Sequence, residues 1–269
     1  MICTMSTDSQ WIATMPEVYD SCLGPALFAP FAARVAAVAQ ALSPRRVLEL
    51  AAGTGILTAE LVRALPAAEI TATDLNPAMV AWAADRVAGP RWLQADAQHL
   101  DLPDAAFDLV ACQFGVMFFP DKPAAFAEAA RVLAPGGTLL FTVWDAVETS
   151  DFPAAMVRSL ATVLPLDSPD FIVRVPHGYC DPDQLAADLR AGGLVADSID
   201  RVVLRGRSPS AQVIAHGFCL GTPLRFALQE RGSLEDLSSA LSQQMVARLG
   251  SGPVDSDLAA FVVTARKAG

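Results

Sequence analysis

Apolar positions along this chain alternate between two periods, and the alternation predicts its elements. Residues 28–42 carry apolar side chains at 31, 35, 38 and 42 on an Ala-rich background, the spacing of a helix that Ser43-Pro44 then ends. A shorter helix is expected over 11–19, after a polar stretch, 1–10, with no periodic pattern. From Arg46 onward, short apolar runs at 46–51, 69–73, 91–95, 107–113 and 138–144 read as strands. Helical segments separate them, over 57–65, 77–87 and 122–133. Asn76 stands as a cap before Pro77, and Pro135-Gly136-Gly137 closes the third helix. The run Phe107-Asp108-Leu109-Val110-Ala111-Cys112-Gln113 is nearly all apolar, as a strand covered on both faces should be. Five strands joined by helical crossovers imply a parallel sheet with helices on both faces. Beyond Asp145 the rhythm loosens, with helices over 151–164 and 181–189 and strands at 195–204 and 258–265. Residues 208–249, broken near 221–223 and at Gly232, read as a helical insertion between the two late strands.

Composition narrows the function classes. The chain has 269 residues, 53% hydrophobic, with a net charge of −10. That balance excludes wholesale disorder and disfavours nonspecific attraction to nucleic acid or an anionic membrane. Five cysteines, at 3, 22, 112, 180 and 219, form no CxxC pair, so reduced thiols and no metal site are expected. The longest uncharged stretch, 208–224, is interrupted by polar residues and Pro223, and no basic region precedes an apolar run near the start. Neither a signal peptide nor a stable membrane insertion is read, and a cytoplasmic location is expected.

The sharpest local feature follows the first strand, in Glu49-Leu50-Ala51-Ala52-Gly53-Thr54-Gly55. Glycines there permit a tight turn and let a ligand lie against the backbone. Asp74 follows the second strand and Asp96 the third. The first can accept from ribose hydroxyls, with an Asx turn or helix cap as its competing role; the second can accept from an exocyclic adenine amine, with capping or exposed solvation as the competing role. Three such features at successive carboxyl ends of parallel strands point to a nucleoside-bearing ligand. A dinucleotide fits less well, since Thr58 stands where the third glycine of G-x-G-x-x-G belongs. Glu49, four residues before Gly53, suits a positively charged ligand better than a phosphate.

With these motifs in hand, the chain resembles the class I S-adenosylmethionine-dependent methyltransferases, in particular the branch of the ubiquinone/menaquinone biosynthesis methyltransferases. The stretches 47–58, 71–77, 89–103, 107–120 and 131–143 carry the likeness, the last through Arg-Val-Leu-Ala-Pro-Gly-Gly-Thr-Leu-Leu. The resemblance implies a Rossmann-like open, mostly parallel seven-stranded sheet with an antiparallel last strand. It divides the chain into an N-terminal helical lid over 1–45, a cofactor-binding core over 46–145, and a C-terminal half of the same domain over 146–269. It implies S-adenosylmethionine as the cofactor. Glu49 and Gly53-Thr54-Gly55 would line its methionine portion, Asp74 its ribose with Leu75 beside the adenine, and Asp96 with Ala97 the adenine edge. Gln113 and Phe114 would lie near the methyl donor, and Tyr19 would close over it. Ala51 departs from the family pattern, which has glycine there.

The reaction so implied is methyl transfer to a small organic acceptor, which needs positioning and water exclusion more than covalent catalysis. Met117, Phe118, Trp144 and Tyr179 are candidate walls of a hydrophobic or aromatic acceptor pocket. His177, in Pro176-His177-Gly178-Tyr179, is the candidate general base among three histidines. A cofactor-binding module without turnover is a second reading, and a nicotinamide-dependent oxidoreductase a third. Partners beyond the small-molecule acceptor are not called for, and a homodimer stays open.

Overall fold

The structure, a computed structural model, describes Ile12 and residues 14–268. The 1–10 stretch, the expected helix start at Trp11, and Cys3 lie outside the described residues. Five parallel strands follow one another as expected: β1 Arg46–Glu49, β2 Glu69–Asp74, β3 Arg91–Gln94, β4 Phe107–Gln113 and β5 Leu133–Trp144. With β6 Leu194–Ser208 and β7 Val254–Lys267 they form one seven-stranded sheet in the order β3-β2-β1-β4-β5-β7-β6. β7 runs antiparallel to β5, with Leu140 opposite Thr264 and Trp144 opposite Ala260. The strand order reverses direction at β1, between β2 and β4. That reversal opens a crevice at the strands' carboxyl ends, where parallel sheets bind ligands.

Helices α1 Met15–Val18, α2 Ala29–Leu42, α3 Ile56–Ala64, α4 Pro77–Ala84, α5 Lys122–Val132, α6 Asp151–Val163, α7 Phe171–Arg174 and α8 Pro182–Ala191 follow the chain. Then come α9 Ala211–Gly221, α10 Leu224–Gln229 and α11 Leu234–Leu249. Three of them start on an acid or amide and an early proline. Asn76, Asp121 and Asp181 accept from Ala78 N, Ala124 N and Asp183 N at 2.8–2.9 Å.

Contacts divide the chain into two compact units. One comprises Phe31–Asp145, Tyr179–Val202 and the described part of Ala260–Gly269. Its core on one side of the sheet joins Val35, Ala36 and Ala39 of α2 and Leu57 and Leu61 of α3 to Val47, Ile70, Leu109, Leu140 and Val262. On the other side Phe126 of α5 packs on Phe141 of β5, ring centroids 5.4 Å apart.

The second unit comprises the described part of Met1–Pro30 with Ala146–Gly178 and Val203–Ala259. It gathers the helices of the expected 208–249 insertion with the first helix and α6. Arg248 of α11 donates to Ser159 Oγ and Thr162 Oγ1 of α6 at 3.2 and 2.7 Å. The unit boundaries fall at Pro30/Phe31 and Asp145/Ala146, and also inside β6 and β7.

Three boundaries differ from the sequence reading for identifiable reasons. Helical backbone runs without a break from Met15 to Leu42, because Tyr19–Phe28 adopts π-type turns around Pro25. Ala29 N bonds Gly24 O, five residues back, so the missing Pro25 N–H breaks no chain of shorter bonds. This 28-residue run is long and apolar enough to cross a membrane by length and composition, yet 56% of its most apolar window is buried in the protein. β5 starts at Leu133, through Pro135-Gly136-Gly137, with a register shift between Phe107 and Leu109 on its partner. β6 and β7 extend beyond their apolar centres, where cross-strand ion pairs join Arg205 to Asp257 at 2.6 Å and Arg207 to Asp255 at 3.0 Å.

Candidate functional site

The carboxyl ends of β1, β2 and β4 meet around the glycine turn. Glu49, the last residue of β1, is 1% exposed. Burial pushes its carboxyl up to about 8, with Asp74 adding repulsion. The Thr58 hydroxyl of α3 works against that shift, yet neither it nor Glu49 Oε2 has a hydrogen-bond partner of good geometry. Burying a carboxylate oxygen without a donor is costly, and that cost favours the protonated form.

Asp74 ties the turn to the second strand. Its Oδ2 accepts from Gly53 N at 2.9 Å and its Oδ1 from Asn76 N at 2.8 Å. The second bond is the Asx turn weighed above. It leaves lone pairs on both oxygens, so that role and ribose recognition are compatible. Burial raises this carboxyl too, while the two backbone donors hold it back.

The two glycines of the turn do different work. Gly53 has φ +57°, and a Cβ there would find nothing within 4 Å. Its open side is the kind of cradle a ligand occupies. Gly55 instead faces protein: a Cβ would stand 3.2–3.3 Å from Ala83, Trp92 and Val87. Its smallness lets the start of α3 pack beside α4. Ala51, the departure from the family pattern, holds φ +51° and so keeps a left-handed backbone that favours glycine. Thr54 is buried with its hydroxyl unpartnered.

After β4, Phe114 takes φ +53°, a strained conformation for a bulky residue. Two bonds from its N–H, to Thr142 O and Thr142 Oγ1, both 3.1 Å, hold it there. Its ring stacks on Trp144 with centroids 3.7 Å apart, and Phe31 of α2 meets both edge-on at 5.2 and 5.4 Å. Phe114 and Trp144, expected in cofactor and acceptor roles, thus belong to one buried aromatic wall. Phe31 completes it and was not singled out by the sequence, because its spacing reads only as helix core.

Gly115 was also missed. A Cβ there would lie 2.5 Å from Ala51 Cβ and 2.8 Å from Cys112 Sγ, so only glycine lets the post-β4 turn approach the glycine loop. Burial pushes the Cys112 thiol up to about 12, which makes it a packing group, not a nucleophile.

The remaining predicted residues fall at four places. Gln113 ends β4, with buried Met117 and half-buried Phe118 on the 3₁₀ turn Val116–Phe118. Leu75 is 40% exposed beside Asp74, and its carbonyl accepts from Gln94 Nε2. Asp96 Oδ1 accepts from Gln98 N and Nε2 at 2.9 and 3.2 Å, next to buried Ala97. Tyr179, a predicted acceptor wall, directs its hydroxyl to Asp188 Oδ2 of α8 at 2.8 Å. Lys122 Nζ stands 4.8 Å over its ring and donates to Phe119 O. Tyr179 is therefore braced between α5 and α8. Tyr19 and His177 belong to the second unit, where Tyr19 stacks on Phe28 at 4.7 Å and His177 is buried. Among the described residues, no group of three or more His, Cys, Asp or Glu gathers as a metal site.

A methyltransferase-domain family matches residues 48–141, which span β1, the glycine turn and most of β5. The demethylmenaquinone methyltransferase of Deinococcus radiodurans is 35% identical over 175 residues, covering 60% of this chain and 73% of that protein. A malonyl-[acyl-carrier protein] O-methyltransferase of Halorhodospira halophila is 40% identical over 104 residues, 38% of this chain and 35% of the relative. The chain thus spans about a third of that second relative's length. By structure, the chain is similar to a putative sarcosine dimethylglycine methyltransferase from Galdieria sulphuraria. That match has a TM-score of 0.54 and 14% identity, and it covers 93% of this chain and 98% of that one, a likeness of fold alone. Identity of 35% along nearly three quarters of a methyltransferase, on a sheet of this order, places the chain among the class I S-adenosylmethionine-dependent methyltransferases.

Proposed function

We propose that this protein transfers a methyl group from S-adenosylmethionine to a small hydrophobic or aromatic organic acceptor. The observation that carries the reading is the convergence at one crevice of a buried acid, Glu49, whose Oε2 has no donor, an open glycine, Gly53, and Asp74, which accepts from Gly53 N directly. The donor set fits the cofactor: a buried carboxyl suits its cation, a carboxylate at the end of β2 suits its ribose, and the Gly53 cradle leaves room. When bound, S-adenosylmethionine supplies an activated methyl and its own neutral leaving group.

The chain's residues would then orient and enclose. Asp74 accepts ribose hydroxyls on the lone pairs its backbone donors leave, and Glu49 faces the ligand's positive charge. The Phe31, Phe114 and Trp144 wall keeps water from the β4 and β5 ends and favours an apolar acceptor. The acceptor chemistry named in the relatives differs between a demethylmenaquinone and a malonyl thioester carrier, so the wall, not the names, supports the acceptor class.

A labelled-methyl screen against quinols, phenols, amines and carboxylates tests the reading. Label in a phenolic or quinol product is expected. Tight cofactor binding without label in any acceptor would favour a binding module. A folded protein that ignores S-adenosylmethionine at millimolar concentration would overturn the proposal.

A further inference from the structure

We propose that Glu49 reads the positive charge of the incoming ligand: it is protonated in the ligand-free protein and releases that proton when the cation binds. The inference rests on the S-adenosylmethionine reading of the same site and adds a step that neither the fold nor the motif specifies.

The groups facing Glu49 decide where the proton sits. Thr58 of α3 offers a hydroxyl, Asp74 of β2 a second carboxyl, and Cys112 of β4 a thiol that feels both acids. Among the described residues, the groups that shift Glu49 are Thr58 and Asp74, neither of them a cation. Asp74 has a backbone donor on each oxygen, the pattern that suits an ionised carboxylate. Glu49 Oε2 has no donor. Ionising both acids would put two like charges in a desolvated space with donors for only one, so the proton belongs on Glu49. A ligand cation reverses that balance by giving the Glu49 carboxylate a partner. The proton then leaves to bulk buffer, and the carboxylate and ligand charge remain paired.

The cation can be the sulfonium or the amino-acid ammonium of the same ligand. S-adenosylhomocysteine keeps the ammonium and lacks the sulfonium, so the two ligands separate these sources.

Titration calorimetry in buffers of different ionisation enthalpy counts the protons directly. With S-adenosylmethionine at pH 7, release of close to one proton per site is expected. Affinity should rise by up to about tenfold per pH unit on the approach to pH 8; above it a sulfonium partner gives a plateau, and an ammonium partner a decline as the ligand's own amine loses its proton. Glu49→Gln should abolish the release and flatten the profile. Should that variant fail to fold, the buffer series on the unaltered protein carries the test alone. Release with both ligands assigns the ammonium, and release with S-adenosylmethionine only assigns the sulfonium; either upholds the proposal. Measurable binding at pH 7 whose heat is independent of buffer would overturn it while leaving the proposed function standing. No binding by folded protein at any pH would remove the functional reading and this inference together.

Discussion

The glycine turn after β1 and the packing of α9 against the first helix both depend on glycine, and they use it in opposite ways. Gly53 is left-handed, and a side chain there would enter open space. Gly217 and Gly221 are helical, and a Cβ on either would stand 2.6 Å from Leu23 or 2.8 Å from the Tyr19 nitrogen. The first glycine keeps room for something that is not protein. The others let protein come close: the Leu23 side chain at Gly217 and the Tyr19 backbone at Gly221. Absence of a side chain marks a site only where the space beside it is unfilled, a distinction sequence does not carry.

Substituting both kinds of glycine should break the comparison most visibly. Gly221→Val drives a branched side chain into the Tyr19 backbone, which cannot swing aside as a side chain could. Loss of about 3 kcal/mol of unfolding free energy is expected, measured by chemical denaturation. The Cβ of Gly53→Val meets no protein atom within 4 Å, so its stability cost is chiefly the left-handed strain, roughly 1–2 kcal/mol. Its main effect is on cofactor affinity, which calorimetry should find reduced more than tenfold. Equal stability losses in the two variants would erase the contrast.

Asp74→Ala comes next, because it removes the acceptor that joins the turn to β2. Charge-assisted hydrogen bonds contribute roughly 1.5–3 kcal/mol each, so a 10- to 100-fold loss of affinity is expected from the ligand contact alone. Unchanged affinity in a folded variant would confine Asp74 to its Gly53 and Asn76 bonds.

Between pH 4.5 and about 8 the protein should also reveal Glu49 through its stability. The folded carboxyl lies above its ordinary value, so the folded state binds the extra proton in that window. Its contribution is fully present below the ordinary range and is lost as pH rises through about 8. Relative to Glu49→Gln, the ligand-free protein should lose on the order of 1 kcal/mol per pH unit at the steepest part. A pH-independent difference between the two would mean Glu49 is ionised throughout.

Legibility followed the locality of the cause. Strands β1 to β4 lie within two residues of their expected limits, because apolar runs flanked by caps and glycines need no distant partner to be recognised. Glu49 and Asp74 were placed for the same reason, each ending such a run, and Gly53 by the glycine turn that follows the first. The π turns around Pro25 were not, since a proline reads as a stop unless tertiary packing holds the helix together across it. Phe31 and Gly115 acquire meaning only from partners far along the chain, Trp144 and Ala51 among them. The charged ends of β6 and β7 read as loop because their arginines and aspartates meet only across strands, far apart in the sequence.

Two arginines give the smallest and most discriminating contrast between the regions. Arg131, in the unit that holds the glycine turn, donates to Leu100 O and Leu102 O at 2.8 and 2.7 Å, to Glu128 through two nitrogens, and to Asp104 at 2.6 Å. It therefore fastens the 100–104 loop to α5 through carbonyls that would otherwise lose their donor. Arg205, in the helical unit, pairs with Asp257 and Asp255 across the exposed β6 and β7 ends. Solvent competes for every one of those contacts. Arg131→Ala should cost about 1 kcal/mol, chiefly through the two backbone acceptors, and the cost should survive high salt. Arg205→Ala should leave the denaturation midpoint unmoved, and any small shift should vanish in salt. The reverse order would mean that exposed pairs, not loop carbonyls, hold the late strands in their extended form.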